Sequence, residues 1–231
     1  MGHIIRRCRE VGLFSQDKQG PGAAAATSTD CSRALFATLC TPGGAAVHAS
    51  ERLKAYLKIR IVRVPRVDGI PTEKLTLSNI VKQIGFTVGP AKKGRAGKDM
   101  KDPVSFMAIL IDRVAKARRT GNLGALPLLR IPWFIRVIQR PSAVADIEWK
   151  VESRDGGKQI IGLRFGPPAM RAYYNAQIQD DKEELERLLE IMQKQLKKDG
   201  PSPVLITSEC NGAVILKLGL WLGGHEAKAK P

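Results

Sequence analysis

The sequence predicts an α+β fold in which a mixed, mostly antiparallel sheet with hairpins is packed by two or three amphipathic helices. Some segments alternate apolar and polar residues as strands do, and others repeat apolar residues at helical spacing. The two kinds intermix without a regular strand–helix–strand order, which favours α+β over α/β. We expect a single domain at residues 51–222, after an irregular extension (1–50) and before a flexible tail (223–231).

The first elements of this domain should be a strand, a short helix and a loop. Residues 56–64 alternate, so that Tyr56, Lys58 and Arg60 share one face of the predicted strand. Helical spacing follows, at Leu77, Ile80, Val81 and Ile84, and Gly85 is a stop signal. Residues 89–101 then form a glycine-containing loop with the basic residues Lys92, Lys93, Arg95 and Lys98.

A longer helix is predicted to begin at Asp102. Asp102 is a suitable N-cap, and Pro103 occupies the first helical position, where a missing N–H is harmless. Cations fill the last turn and Gly121 ends it. The buried stripe should consist of Met107, Leu110, Ile111 and Val114.

Three further strands are predicted between residues 128 and 165. Residues 128–139 alternate, and Pro132 favours an edge position for that strand. Residues 143–152 form the next strand, and Asp155-Gly156-Gly157 turns it into a strand that ends at Phe165. The outer face of the first of these strands should carry Arg130, Phe134, Arg136, Ile138 and Arg140.

The C-terminal part is predicted to contain two helices and a hairpin. Pro167-Pro168 opens a helical region, and residues 181–198 form the clearest amphipathic helix of the chain. Asn211-Gly212 is a strong two-residue turn signal, so residues 204–209 and 213–222 should pair as a hairpin with Cys210 as a small buried side chain.

The charge is concentrated in one part of the sequence. The chain carries a formal net charge of +16, and residues 51–141 hold 20 basic and six acidic residues. Residues 142–222 are nearly neutral. A local excess of this size indicates a polyanion-binding surface, because phosphate contacts release condensed counterions. A generally basic soluble protein, the alternative, would spread its charge more evenly.

Candidate RNA-binding residues lie in the basic loop and on two strand faces. Loop cations can hold phosphates, and planar groups among cations can stack on bases. Packing of Tyr56 and Phe134 beneath a helix is the alternative for these faces. The candidates are Lys58, Arg60, Lys92, Lys93, Arg95, Lys98, Arg130, Phe134, Arg136 and Arg140.

Enzymatic sites receive little support from the sequence. Gly89 and Gly94 have P-loop spacing, but Arg95 and Ala96 replace the required Lys and Ser/Thr. Residues 49–224 contain no histidine, and the cysteine spacings do not match a zinc site. We therefore expect no catalytic residue, metal or cofactor. A divalent-metal nuclease using Asp146, Glu148 and Lys150 stays open as a minor alternative.

The N-terminal fifty residues suggest a compartment. Arg6, Arg7 and Arg9 precede a Ser/Ala-rich stretch, a composition that resembles a mitochondrial targeting segment. An extension threaded along a larger assembly is the alternative. No apolar run reaches the length of about 18 residues that a membrane-spanning helix needs.

Together these observations predict an RNA-binding structural subunit of a ribonucleoprotein. The most concrete expectation is a mitochondrial ribosomal protein of the matrix that contacts ribosomal RNA through residues 51–141 and meets neighbouring proteins through its neutral part. A non-catalytic accessory subunit of an organellar membrane complex is the alternative from another class.

Overall fold

The computed structural model describes residues 2–14, 26–41, 46–63, 102–125, 133–138, 143–152, 158–198 and 207–228. These residues form an α+β fold, as the sequence predicts. The α-helices are α1 (Gly2–Glu10), α2 (Ser28–Leu39), α3 (Ala49–Lys58), α4 (Pro103–Arg119), α5 (Pro168–Gln179), α6 (Lys182–Lys198) and α7 (Ala213–Lys228). The strands are β1 (Arg60–Arg63), β2 (Trp133–Ile138), β3 (Val144–Glu152), β4 (Lys158–Gly166) and β5 (Thr207–Asn211). The short helix near Leu77, the basic loop and the 155–157 turn lie outside the described residues.

The strands form one antiparallel sheet in the order β1-β4-β3-β2-β5. The edge position that Pro132 predicts for β2 is wrong, because β2 pairs with β3 on one side and β5 on the other. The strand begins at Trp133, after the proline, so the missing N–H interrupts neither ladder. Ile135 at its centre faces Ile147 of β3 and Cys210 of β5.

One face of this sheet is covered by helices. Trp133, Ile135 and Val137 of β2 are buried, and they alternate with half-buried residues on the opposite face. The buried side chains of the sheet join those of α1, α2, α3, α4 and α7 in one core. For example, the rings of Phe106 in α4 and Phe165 in β4 lie 6.2 Å apart. We call these five helices the helical layer.

Helix α4 confirms its sequence signals. The Asp102 side chain accepts a hydrogen bond from the Ser105 N–H at 2.9 Å, and Pro103 begins the helix. The predicted stripe is buried, from Met107 to Val114. Gly121 follows the helix with φ +69°, a left-handed conformation that glycine adopts without steric cost.

The N-terminal part is more regular than predicted. The expectation of an irregular segment is wrong over α1 and α2, which contribute Cys8, Cys31 and Phe36 to the core. Thr27 and Asp30 form a capping box at the start of α2. Small side chains explain why the sequence pattern does not predict these two helices. Alanine and cysteine let helices pack closely without a conspicuous apolar stripe.

The strand predicted over residues 56–64 is helical at its start. Residues up to Lys58 belong to α3, and only Arg60–Arg63 pair as β1. Leu53 and Tyr56, one turn apart, are buried in the core, and the Tyr56 hydroxyl donates to the Ile138 carbonyl at 2.6 Å. Tyr56 therefore belongs to the core and not to an exposed strand face with Lys58 and Arg60.

The predicted C-terminal hairpin is also wrong in its second half. Residues from Ala213 form helix α7, which runs through the supposed tail as far as Lys228. Asn211 caps this helix, since its side-chain oxygen accepts the Ala213 N–H at 2.8 Å. Gly212 donates its N–H to the Trp133 carbonyl at 2.8 Å, and a Cβ on Gly212 would overlap the Trp133 indole.

The two remaining helices confirm the prediction for residues 167–198. Helix α5 packs against β1, where Met170 and Val62 close around Gly166. Helix α6 packs on α5, burying Leu188 and leaving Leu189 41% exposed. Among the described residues, no helix is long and apolar enough to cross a membrane.

Candidate polyanion-binding surface

The structure describes four of the ten predicted RNA-binding residues. Lys58 is exposed at the end of α3, and Arg60 begins β1. Arg60 Nη1 donates to the carbonyls of Leu57 at 2.8 Å and Ile59 at 2.9 Å, so this guanidinium closes the C-terminal end of α3. Phe134 and Arg136 lie on β2. The others fall outside the described residues: Lys92, Lys93, Arg95, Lys98, Arg130 and Arg140.

The outer face of the sheet carries a row of alternating charges. The register aligns Glu209 of β5 with Arg136 of β2, Arg136 with Asp146 of β3, and Asp146 with Arg164 of β4. Arg136 Nε lies 3.2 Å from Glu209 Oε2, and its Nη1 lies 3.9 Å from Glu148 Oε1. The Arg136 guanidinium is thus engaged by two carboxylates.

Asp146 and Arg164 form the closest ion pair of this row. Arg164 Nε and Nη2 donate to the two Asp146 carboxylate oxygens at 2.7 and 2.9 Å, and Asp146 is buried. Because both oxygens are held by the guanidinium, Asp146 is poorly placed to ligate a metal as the nuclease alternative requires. No group of three or more metal-ligating side chains occurs in the described part of the chain.

The exposed basic–aromatic strand face expected from the sequence is therefore not what the structure presents. Tyr56 is buried, Phe134 is half-buried between the register partners Asn211 and Glu148, and Arg136 is paired. Strands β2 to β5 contain four basic and four acidic residues, which leaves them with no net charge.

The helical layer has the opposite character. Helices α3, α4 and α7 contain nine basic and three acidic residues. Four of their lysines are exposed and make no ion pair with any residue that the structure describes. These are Lys54, Lys58, Lys116 and Lys217, which we call the exposed lysines.

An aromatic side chain accompanies these cations. Trp221 of α7 is 47% exposed and lies one helical turn after Lys217. Arg118 extends from α4 across Gly224, and its Nη1 donates to the Leu220 carbonyl. Lys217 and Trp221 therefore share one exposed face of α7, a combination that suits stacking on bases next to phosphate contacts.

The sequence predicts which part of the chain is basic but not the surface that carries the charge. Its patterns place Lys116 in the last turn of a helix and Trp221 in a strand of the predicted hairpin. The signal that separates the two surfaces is the balance of charges within each element, which is even on β2–β5 and strongly basic on α3, α4 and α7. In comparisons with known proteins, no family model, curated protein or solved structure matches this chain.

Proposed function

We propose that this chain is an RNA-binding structural subunit of a ribonucleoprotein, most concretely of the mitochondrial ribosome. The exposed lysines of the helical layer contact RNA phosphates, and the sheet faces protein neighbours. The main support for this proposal is a contrast between two surfaces. The exposed lysines on α3, α4 and α7 make no ion pair with any described residue, whereas the outer face of the sheet is ion-paired.

The sequence between β1 and α4 is also rich in basic residues. Residues 64–101 hold eight basic and three acidic residues, and their two ends are fixed at Arg63 and Asp102. The cations nearest the second end, Lys98 and Lys101, precede the N-cap of α4 directly in the chain. These cations add to the positive charge that attracts a polyanion to the chain.

A mitochondrial matrix location is part of the proposal and rests on α1. This helix combines Arg6, Arg7 and Arg9 with an apolar face, the pattern of an import signal. Phe36 of α2 has no exposed surface, so removal of the whole 1–50 segment would strip the core. Ile4 and Cys8 of α1 are buried in the same core, so we expect the imported chain to keep α1, which mass spectrometry of the mature N-terminus would reveal.

The proposal is tested by RNA binding of the full chain across a salt series. A triple variant, Lys58→Gln, Lys116→Gln and Lys217→Gln, removes one exposed lysine from each of three helices. If each of these lysines contacts a phosphate, the negative slope of log affinity against log salt concentration should become shallower by about 2. The matched control removes three cations from α6, through Lys182→Gln, Arg187→Gln and Lys194→Gln, and should keep the slope.

Two results would contradict the proposal. Equal slopes for the two triple variants would mean that RNA affinity depends on the total charge of the protein and not on where the cations lie. No binding even at low salt would favour the accessory subunit of an organellar membrane complex.

A further inference from the structure

An open cleft separates α2, α3 and α4 on the helical layer. Its volume is about 470 Å³, within the range of about 300–1,000 Å³ that is typical of small-molecule sites. Its lining mixes two guanidinium groups, one carboxylate, hydroxyl groups and an apolar wall. The lining residues are Ser28, Thr29, Arg33, Leu57, Val104, Ser105, Ala108, Ile109, Asp112 and Arg113.

Arg33 brings a fixed guanidinium to this cleft. Its Nη1 donates to the Leu13 carbonyl at 2.8 Å, which holds the group in place. Its Nε is buried and has no hydrogen-bond acceptor among the described residues. Arg33 also lines the cleft, so an anionic oxygen bound there can pair with its charge.

Arg113 provides the second guanidinium from the facing helix. It is half-buried, and desolvation lowers its pKa while the neighbouring Asp112 carboxylate opposes that effect. Its charge is therefore less well solvated than that of an exposed arginine, which strengthens its attraction to an anion. Two arginines converging on one cleft are a common arrangement for phosphate recognition, because guanidinium groups bind phosphate oxygens in pairs.

The rest of the lining suits a sugar and a base. Asp112 is exposed at the cleft, where its carboxylate can accept hydrogen bonds from vicinal hydroxyl groups. Leu57 and Ile109 are half-buried and form part of the apolar wall, against which a planar ring can pack. An inorganic anion would use the arginines but neither of these two features.

We propose that the cleft binds a nucleoside monophosphate unit, with its phosphate on Arg33 and Arg113, its ribose hydroxyls at Asp112 and its base against Leu57 and Ile109. The unit comes either from a free nucleotide or from one residue of an RNA strand. The cleft is distinct from the exposed lysines, so this proposal does not depend on the RNA-binding role of those lysines.

Calorimetric titration of the full chain with adenosine 5′-monophosphate tests the proposal. Arg113→Gln should weaken binding about tenfold or more, since it removes a charged phosphate partner. Arg187→Gln, a matched loss of one guanidinium on α6 outside the cleft lining, should change the affinity less than about twofold. Binding that is absent in the wild type, or equally weakened by both substitutions, would overturn the proposal.

Two further measurements identify the contacts and the source. Asp112→Asn should reduce the preference for adenosine over deoxyadenosine monophosphate, and an unchanged preference would remove Asp112 from the ribose site. Displacement of the bound nucleotide by a short oligoribonucleotide would assign the cleft to one residue of an RNA strand. Retention of the nucleotide beside bound RNA would assign it to a free nucleotide. These titrations use no exposed-lysine triple variant, so their failure is separable from that of the RNA-binding proposal.

Discussion

At the outer face of the sheet, one carboxylate shows how burial and pairing decide the role of a residue. The Asp146 side chain is 4% exposed and is held by both Nε and Nη2 of Arg164, whose side chain is 35% exposed. A buried ion pair of this kind adds little net stability, but loss of one partner leaves a desolvated charge behind. The pair therefore acts as a constraint on β3 and β4.

Arg164→Ala tests how much the protein depends on this ion pair. The substitution leaves the Asp146 carboxylate buried without its bidentate partner, and we expect the free energy of unfolding to fall by about 2–3 kcal/mol, a value reduced for the partial exposure of Arg164. Urea denaturation of the wild type and the variant measures this change in the free energy of unfolding. The control is Arg187→Ala on α6, which breaks the exposed pair with Glu184 and should leave the midpoint unchanged. A similar effect of both substitutions would contradict the role assigned to burial.

The desolvated thiols of buried Cys40 and half-buried Cys210 predict how stability responds to alkaline pH. Burial raises the pKa of Cys40 and of Cys210 from 9.0 to about 11. Between these values the unfolded chain loses thiol protons that the folded chain keeps, so the free energy of unfolding should fall as the pH rises from 9 to 11. Denaturation at a series of pH values checks this. Cys210→Ala should make the decline shallower, and an identical decline would show that this thiol does not contribute.

At the scale of elements, the junction of β5 and α7 depends on a close approach of backbone to indole. Gly212 lies against the Trp133 ring, where any side chain would overlap it. Gly212→Ala should lower the free energy of unfolding by about 2–3 kcal/mol, because the ring or the helix must move. Gly124→Ala is the control, since no atom lies within 4 Å of the added Cβ there. Thermal denaturation distinguishes them, and equal melting temperatures would contradict this packing.

The elements that the sequence predicts well are those whose signals are local. Helix α4 has a cap, an N-terminal proline, an apolar stripe and a terminal glycine, all of which act within one segment. Helix α7 lacks such a stripe, because residues 214–222 are apolar almost throughout. Periodicity cannot distinguish a buried helix from a buried strand in such a run. These residues form a helix because of their packing against α4, where Gly219 and Gly223 approach Val114 and Ala115.

The candidate surface was only partly predictable for a similar reason. Counting charges along the chain identifies residues 51–141 as basic. Whether Arg136 is available to RNA depends on the registers of β2 with β3 and β5, which place Glu148 and Glu209 beside it. Strand pairing between distant segments is not encoded in any local pattern. The pairing of Arg136 therefore emerges only from the assembled sheet.

At the scale of the whole molecule, the charges divide the fold into two sides. The sheet is neutral across β2–β5, and its outer arginines are bound to carboxylates. The helical layer carries the exposed lysines, the cleft and Trp221. A polyanion approaching from bulk solvent should be attracted to the helical layer, because the exposed lysines there make no ion pair with the residues that the structure describes. We therefore expect RNA to bind the helical layer and not the sheet.

Protection of lysines from chemical acetylation, measured by mass spectrometry with and without bound RNA, tests this claim most directly. Lys54, Lys58, Lys116 and Lys217 should lose reactivity when RNA is bound, because their amines then contact phosphates. Lys182 and Lys194 on α6 should react equally in both states. Protection of the α6 lysines while the four exposed lysines stay reactive would place the RNA elsewhere on the molecule and contradict the account.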